Sequence, residues 1–554
     1  MSKFTERALL FTCLFTGNHS VFALEAKQQV PVRIRHILIA PQPIFDESKP
    51  GERKRIFRLV NDLHVDTREV TIRAQLLFAE GDIYSERVLR ETERNLRRLR
   101  FLREPKIRVI DRADGFVDLE VRSTDVWTLS PTLKFGRSGG ANRTSIGVED
   151  LNFLGLGKQL KAEFRQSRDR DSKVLAYSDP NLAFGRWTLD AAYSLNSDGH
   201  TSRFAIDKPF YSLETQRSFG LQINDDDGLL RRYALGEELG AYQRKFRTAE
   251  LYFGRSAGLI DGWATRRSFG LALEDARFSD AAIFNDEMGN PSNLGALPQD
   301  RRFASAFLQW EWLEEDFATT TNKDQIGRTE DEAFGQYYLL RAGLGSAQVN
   351  GTATVNGTER ANGNSGVAQF YRLQAADGLR LGESQSLFFE LSLSGRHDKS
   401  GVSNQRFNAG ARYFYRHSER STSYASLSTT LGRRLDLDQE VILGGEQGLR
   451  AYPVAFQTGD KSALLTFEQR YFTDYQLLRL FSVGAAAFAD VGRVWGSNAA
   501  GAPLLGTLKD AGIGLRLGNL RSARANMLHL DVAWPLDDPR GSSPQFSIEM
   551  RTRF

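Results

Sequence analysis

The chain has 554 residues, enough for two or three domains. Lys and Arg total 73 against 69 Asp and Glu, and a net charge of +4 over this length gives no case for a nucleic-acid binder. Phe at 37 and Gly at 49 are high while Pro at 15 and Met at 4 are low, and no apolar run reaches the length of a membrane-spanning helix. Together these point to an all-β chain.

Lys3 and Arg7 precede the apolar stretch Ala8 to Phe15, and Val21-Phe22-Ala23 fits a small-residue cleavage site, so residues 1–23 read as a secretory signal peptide. Cys13 is the sole cysteine, and Leu10-Phe11-Thr12 before it lack the small residue expected next to a lipidated cysteine. Cleavage leaves a chain with no thiol, hence no disulfide and no thiolate metal site, which suits a bacterial envelope protein.

Residues 27–123 read as a small mixed domain. Val32 to Ile39 alternates as a strand, and a linker with Pro41, Pro43, Pro50 and Gly51 follows. Ile56 to Leu63 suggests a short helix. Asp66 to Glu69 has the spacing of a capping box, and Ser85 can cap a second helix with Val88, Thr92, Leu96 and Leu99 on one face. Two strands joined by a turn at Asp114-Gly115 complete a β-α-α-β-β order. Ser85 to Arg112 carries ten basic against five acidic residues, which suits either a docking face for acidic clients or lipid headgroups, or a solvated helix face.

From Trp127 to Phe554 the two-residue period dominates. Phe546, Ile548, Met550, Thr552 and Phe554 alternate with Ser547, Glu549, Arg551 and Arg553, and similar rows run through Trp187–Leu195, Phe407–Arg416, Gly512–Gly518 and Leu528–Trp534. A dry core would not tolerate the Arg, Glu and Asp of the polar rows, whereas a water-filled lumen does. Aromatic residues stand near strand ends (Trp127, Trp187, Trp263, Trp312, Trp495, Trp534, Phe554), as in the interfacial girdles of a transmembrane barrel, which must close to pair its backbone in lipid. About twenty alternating segments can be counted. Asp280–Asp300, Ala318–Phe334 and Ala347–Ser365, rich in Asn, Gly, Thr and Asp, read as external loops.

Gly136-Arg137-Ser138-Gly139-Gly140 matches G-x-S-x-G, but a strand rather than a helix follows, so it reads as a hairpin turn and not a nucleophile elbow. Metalloprotease, Walker and cysteine-cluster motifs are absent from the sequence, and no enzyme, metal or cofactor is expected.

Three groups of residues carry a family resemblance. EGDIYSERVLRETERNLRRLRFL and GFVDLEVRSTDVWTLSP resemble a POTRA domain. The segment 441–461, with Gly448-Leu449-Arg450-Ala451-Tyr452 at its centre, resembles the lid loop of the BamA/TamA superfamily, which includes two-partner secretion transporters; Ala451 stands where the family commonly has glycine. FADVGRVW, with Phe488, Asp490 and Gly492, is similar to the family's Phe-x-Asp-x-Gly motif, and Glu468 and Arg470 share one face of the strand before it.

The resemblance implies an all-β transmembrane barrel of about sixteen antiparallel strands, preceded by one POTRA-like domain, with the lid between the eleventh and twelfth strands. It also implies that Arg450 points into the lumen and meets Asp490, a pair that either braces the barrel or takes part in conformational cycling. Phe546, Ile548, Met550 and Phe554 resemble the C-terminal signal of outer-membrane barrels.

The expected function is assisting insertion, assembly or translocation of envelope polypeptides in the bacterial outer membrane, by strand pairing at the barrel seam and the edge of the small domain. A dedicated exporter of one polypeptide and a passive pore or surface antigen are the alternatives. Expected partners are outer-membrane lipids, unfolded envelope polypeptides, and periplasmic chaperones or an inner-membrane protein, with no nucleic acid.

Overall fold

The computed structural model describes residues 31–49, 52–283, 296–355, 358–477, 480–498, 501–519, 527–538, 541 and 543–551. The expected signal peptide and Phe554 lie outside the described residues.

The N-terminal domain comprises β1 (Arg33–Gln42), α1 (Arg55–Leu63), α2 (Glu69–Arg73), α3 (Glu86–Arg98), β2 (Leu102–Ala113) and β3 (Phe116–Asp125). Its sheet has the order β1-β3-β2, with β1 parallel and β2 antiparallel to β3. The helical spacing of Leu89, Thr92 and Leu96 buries one stripe of α3 with Ile34, Ile72, Val117, Leu119 and Val121. The expected box at Asp66 does not form. Helix α2 begins three residues later, capped by Arg68 without a side-chain bond, because the backbone N–H of Arg68 donates instead to Gly155 O at 3.0 Å on the neighbouring barrel.

Twenty strands close into one antiparallel barrel. In chain order they begin with β4 (Leu129–Ser138), β5 (Ala141–Phe153), β6 (Lys158–Gln166), β7 (Asp171–Leu182), β8 (Trp187–Asn196), β9 (Gly199–Lys208), β10 (Arg217–Ala234), β11 (Glu237–Ile260), β12 (Trp263–Ile283) and β13 (Asp300–Glu314). A separate hairpin, β14 (Phe317–Thr321) and β15 (Thr329–Ala333), precedes β16 (Tyr337–Val355), β17 (Thr358–Arg380), β18 (Gln385–Asp398), β19 (Gly401–Arg416) and β20 (Ser421–Arg433). The lid contains the short pair β21 (Val441–Leu443) and β22 (Gln457–Gly459). The wall then resumes with β23 (Lys461–Leu477), β24 (Phe481–Trp495), β25 (Thr507–Asn519), β26 (Met527–Pro535) and β27 (Gln545–Arg551).

Outward rows are apolar and exposed, as at Ile513, Leu515, Phe546 and Met550, while the alternate residues Arg516, His529 and Asp531 are buried inside. That sidedness is what lipid outside and a polar lumen require.

The barrel corrects the expected sixteen strands. Five strands follow the lid, as the resemblance implies, so the four additional ones all precede it, and the lid joins the fifteenth and sixteenth strands. The external-loop reading also fails in two places, while most of the third expected loop, Asp280–Asp300, lies outside the described residues. Residues 347–355 and 358–365 belong to the ladder of β16 and β17. Strand β11, at 24 residues, is far longer than the about 9–11 needed to cross a bilayer, so these ladders project beyond it. There Asp225 and Asp227 pair with Arg247 and Lys245 at 3.1 and 3.4 Å, and charged or small side chains replace the large apolar row that marks a lipid-facing strand. The second place is the hairpin β14–β15, described below.

The N-terminal domain sits on one open end of the barrel, here the near end. Arg87 reaches Glu214 at 2.7 Å, the side-chain amide of Asn95 donates to Tyr211 O at 3.1 Å, and Leu213 N donates to Glu91 Oε1 at 2.8 Å. The inner half of the basic face of α3 is therefore neither solvated nor free for a client. It is committed to the loops of the barrel, while Arg90 stays exposed on the outer side.

Candidate functional site

The lid enters the lumen from the far end, and complementary charge fixes both of its parts. Its stem is acidic and meets basic wall residues. Arg396 holds Asp436 through bonds of 2.7 and 2.6 Å, Arg301 holds Asp438 through bonds of 2.7 and 2.8 Å, and Arg232 reaches Glu440. Its tip is basic and meets acidic wall residues. Arg450 forms a fork on Asp490 at 2.8 and 3.2 Å, approaches Asp531 at 3.5 Å, and stacks over the Phe488 ring with 3.3 Å to the centroid. Ala451 N donates to Asp510 at 3.0 Å and the Tyr452 hydroxyl donates to Lys509 O at 3.0 Å. Gly448 holds a φ of +97°, and a Cβ there would strike the Leu464 side chain; Gly492 has no room either, since Leu443 and Leu449 of the lid lie against it. These glycines allow the lid to pack directly on β23 and β24.

Glu468 is the centre of the buried network. Its carboxylate contacts Arg516, lies 3.2 Å from Arg470 and 3.9 Å from Arg450, and Arg516 in turn contacts Asp531. No side chain in this set of three guanidiniums and three carboxylates is more than 5 % exposed. A buried charge stripped of its partner is expensive, so the set stands or falls together. The sequence reading singled out Arg450, Asp490, Glu468 and Arg470, and the structure brings them into one cluster. It missed Asp510, Arg516 and Asp531. Their signal was present, since all three are charged residues on inward positions of consecutive strands.

The hairpin β14–β15 is the larger omission. It starts at the near end, where Arg97 of α3 forks onto Asp331 at 2.8 and 2.7 Å, Glu104 accepts bonds from Thr329 N and Oγ1 at 3.1 and 2.7 Å, and Arg94 stacks over Phe317. Its tip then lies inside the barrel. Lys323 Nζ bonds Ser386 Oγ at 2.8 Å and lies over the rings of Phe388 and Phe414, and Ile326 packs on Phe472 and Met527. Arg470 donates to Lys323 O at 2.7 Å. Arg470 therefore holds the hairpin on one side and Glu468 on the other, and contacts run without a break from α3 through the hairpin to the lid.

The bend of the hairpin is set by Glu330, whose carboxylate accepts from Lys323 N, Asp324 N and Gln325 N at 3.0–3.2 Å. Burial first, and the nearby charge of Asp324 second, push the Glu330 carboxyl up to about 7. The seated hairpin holds this proton more tightly than a free chain does, so seating is favoured at acid pH and weakens as pH rises from about 4.5 to about 7. The protection factors of amides 322–328, taken after division by the base-catalysed intrinsic exchange rate, should fall across that window, and Glu330→Gln should flatten the fall.

His64, Asp66 and Asp125 place ligand atoms within 4.8 Å of one another at the base of the N-terminal domain. His64 Nε2 is already 3.0 Å from Asp125 Oδ2, and Thr67 N donates to the same oxygen at 2.7 Å, so hydrogen bonds between the α1–α2 connection and the end of β3 account for His64 and Asp125.

The seam lies between the first and last wall strands. Among the described residues β27 and β4 share one register pair, Ile548 opposite Arg137, whereas β26 and β27 pair from Met527–Arg551 to Ala533–Gln545. Gly136 lies on the other side of that join, where a Cβ would come 3.2 Å from Ile548 O. The lid covers the same place. Val454 N donates to Gly139 O at 3.3 Å, and Glu446 pairs with Arg143 at 2.9 Å. The G-x-S-x-G stretch is a plain hairpin turn between β4 and β5. Phe546 and Met550 face outward on β27.

No family model matches the chain, and no curated protein matches it. Among solved structures, CdiB from Escherichia coli is 13 % identical with a TM-score of 0.43, covering 94 % of this chain and 76 % of that one. CdiB from Acinetobacter baumannii is 12 % identical with a TM-score of 0.42, covering 99 % and 96 %. BamA from Haemophilus ducreyi lacking POTRA domains 1–3 is 13 % identical with a TM-score of 0.34, covering 93 % and 83 %.

Proposed function

We propose that this chain is a bacterial outer-membrane protein that assists insertion, assembly or translocation of envelope polypeptides, with its N-terminal domain in the periplasm. The seam carries the reading. A closed barrel that zips all its other neighbours and joins its ends through one described pair has a preferred line of opening, and an opened edge offers unpaired N–H and C=O groups to a client strand. Client folding and burial in lipid supply the energy. Dedicated export of one polypeptide is the second reading, favoured by the hairpin, because a stopper anchored to the N-terminal domain is placed to respond to cargo arriving there.

Cysteines at Arg137 and Ile548 test the seam. Antiparallel register partners have Cα separations that a disulfide accepts, and Cys13 is the sole cysteine of the natural sequence. Oxidation of R137C/I548C should lower several barrel proteins in the membrane at once, and reductant should restore them. The control pair L530C/I548C closes a ladder that is already zipped and should leave them unchanged. Loss of one secreted product alone would favour the exporter, and unchanged client levels under a complete seam lock would rule out exit at this line.

A further inference from the structure

The outward wall of β10, β11 and β12 carries two charged rows, built on opposite rules. At the far side of the apolar band the row runs Asp225, Arg247, Asp275, Arg302 across four strands, so signs alternate and Arg247 pairs with Asp225 at 3.1 Å. Eight residues nearer the N-terminal domain the row runs Arg217, Arg255, Arg267, three exposed guanidiniums directly opposite one another in register. Among the described residues no carboxylate pairs with any of the three. The neighbouring Glu214 is turned away, bonded to Arg87 and to Leu259 N. Like charges opposite one another in a sheet repel, and among the described residues no carboxylate offsets them.

The level of this row is an interfacial one. Trp310 is the next residue along it on β13, with Trp312 and Tyr338 opposite each other one row nearer the N-terminal domain. Above the arginines the wall is notched. Ala306 and Ala342 form the floor of a groove of about 790 Å³, between Leu251, Phe269, Leu271 and Leu344 on its sides. These side chains are exposed on the lipid face. The first ring above the row, Phe253, lies under the Arg255 guanidinium.

We propose that this sector holds an anionic glycerophospholipid of the leaflet on the N-terminal-domain side, with its phosphate on Arg217, Arg255 and Arg267 and an acyl chain in the groove. Adjacent strands are about 4.8 Å apart, so the outer two arginines are separated by about 10 Å and can fork onto a phosphate from both sides of Arg255. A zwitterionic headgroup brings its own cation into this field, whereas phosphatidylglycerol brings none, so charge complementarity favours the anionic lipid.

The test uses the full chain in neutral detergent micelles, titrated with phosphatidylglycerol or with phosphatidylcholine of the same chains, with retained lipid read by native mass spectrometry. The expected result is one phosphatidylglycerol held at least tenfold more tightly than phosphatidylcholine. That preference should disappear in R217Q/R255Q/R267Q and weaken several-fold in R255Q alone. Ala306→Phe should fill the groove and weaken binding of long-chain lipid while sparing a short-chain phosphatidylglycerol. The urea midpoint of the triple variant should be unchanged or raised in lipid-free micelles, because removing mutual repulsion cannot destabilise the wall. Equal retention of the two lipids by the natural chain, or a preference that survives both R255Q and the triple variant, would overturn the assignment.

Discussion

Replacing Glu468 with alanine should cost the barrel more stability than any other single change in the lumen. The carboxylate is 1 % exposed and neutralises guanidiniums from the lid, from β25 and from its own strand. Its removal leaves Arg470 with a backbone carbonyl and with Asp324 at 3.7 Å, and leaves Arg450 and Arg516 sharing Asp490 and Asp531. Stripping one partner from a buried ion pair costs about 3–5 kcal/mol, and the three-way contact puts Glu468 at the top of that range. Glu468→Gln keeps the shape and an acceptor but drops the charge, and should fall between. The control is Asp316→Asn, which removes a fork with Arg380 at 2.7 Å where the two side chains are 35 % and 45 % exposed, and it should cost less than about 1 kcal/mol. Urea midpoints in detergent micelles measure all three. A loss for E468A no larger than that for D316N would show that the network is screened by water rather than buried.

How much of this was legible follows from what kind of information each part needs. The wall was legible because lipid on one side and charge on the other force a two-residue period onto each spanning strand, as at Leu528–Trp534. The strand number was legible to residue counting, which found about twenty segments, and became wrong only when the family resemblance reduced it to sixteen. Ladders beyond the bilayer were misread for a different reason. Ala347, Val349, Ala353 and Val355 do alternate with Gln348, Asn350, Thr352 and Thr354, but no long apolar row marks a lipid face, and the Asn, Gly and Thr of 350–364 look like loop. The hairpin defeated reading more completely. Lys323 looks like solvent-facing charge until Ser386, Glu332 and two phenylalanine rings are known to surround it, and Ser386 and those rings come from strands that begin at least fifty residues later. Arg217, Arg255 and Arg267 likewise became a row only once the register of β10, β11 and β12 was known.

Removing both stoppers should open the barrel, and removing either alone should not. The hairpin tip blocks the near half of the lumen, reaching from its root between β13 and β16 to Ser386 on β18 and to Phe472 and Met527 on β23 and β26. The lid blocks the far half, anchored at Arg232, Arg301 and Arg396 on one side and at Asp490 and Asp510 on the other. They meet at Arg470 and Glu468, so they act as resistances in series and the remaining one limits the current. In planar bilayers the natural chain should be nearly silent. Replacing 322–328 with two glycines, or 444–456 with a short turn, should each raise conductance by a small factor. Combining the two should give steady openings at least tenfold larger, since barrels of about sixteen to eighteen strands already enclose an aqueous channel and this one has twenty. Full conductance from the lid deletion alone would mean that the hairpin leaves a continuous water path past it. Coupling between the stoppers gives a second reading of the same experiment. Arg470→Met keeps both loops but cuts their shared contact. If the N-terminal domain governs the lid through the hairpin, this variant should show brief independent flickers where the natural chain shows none.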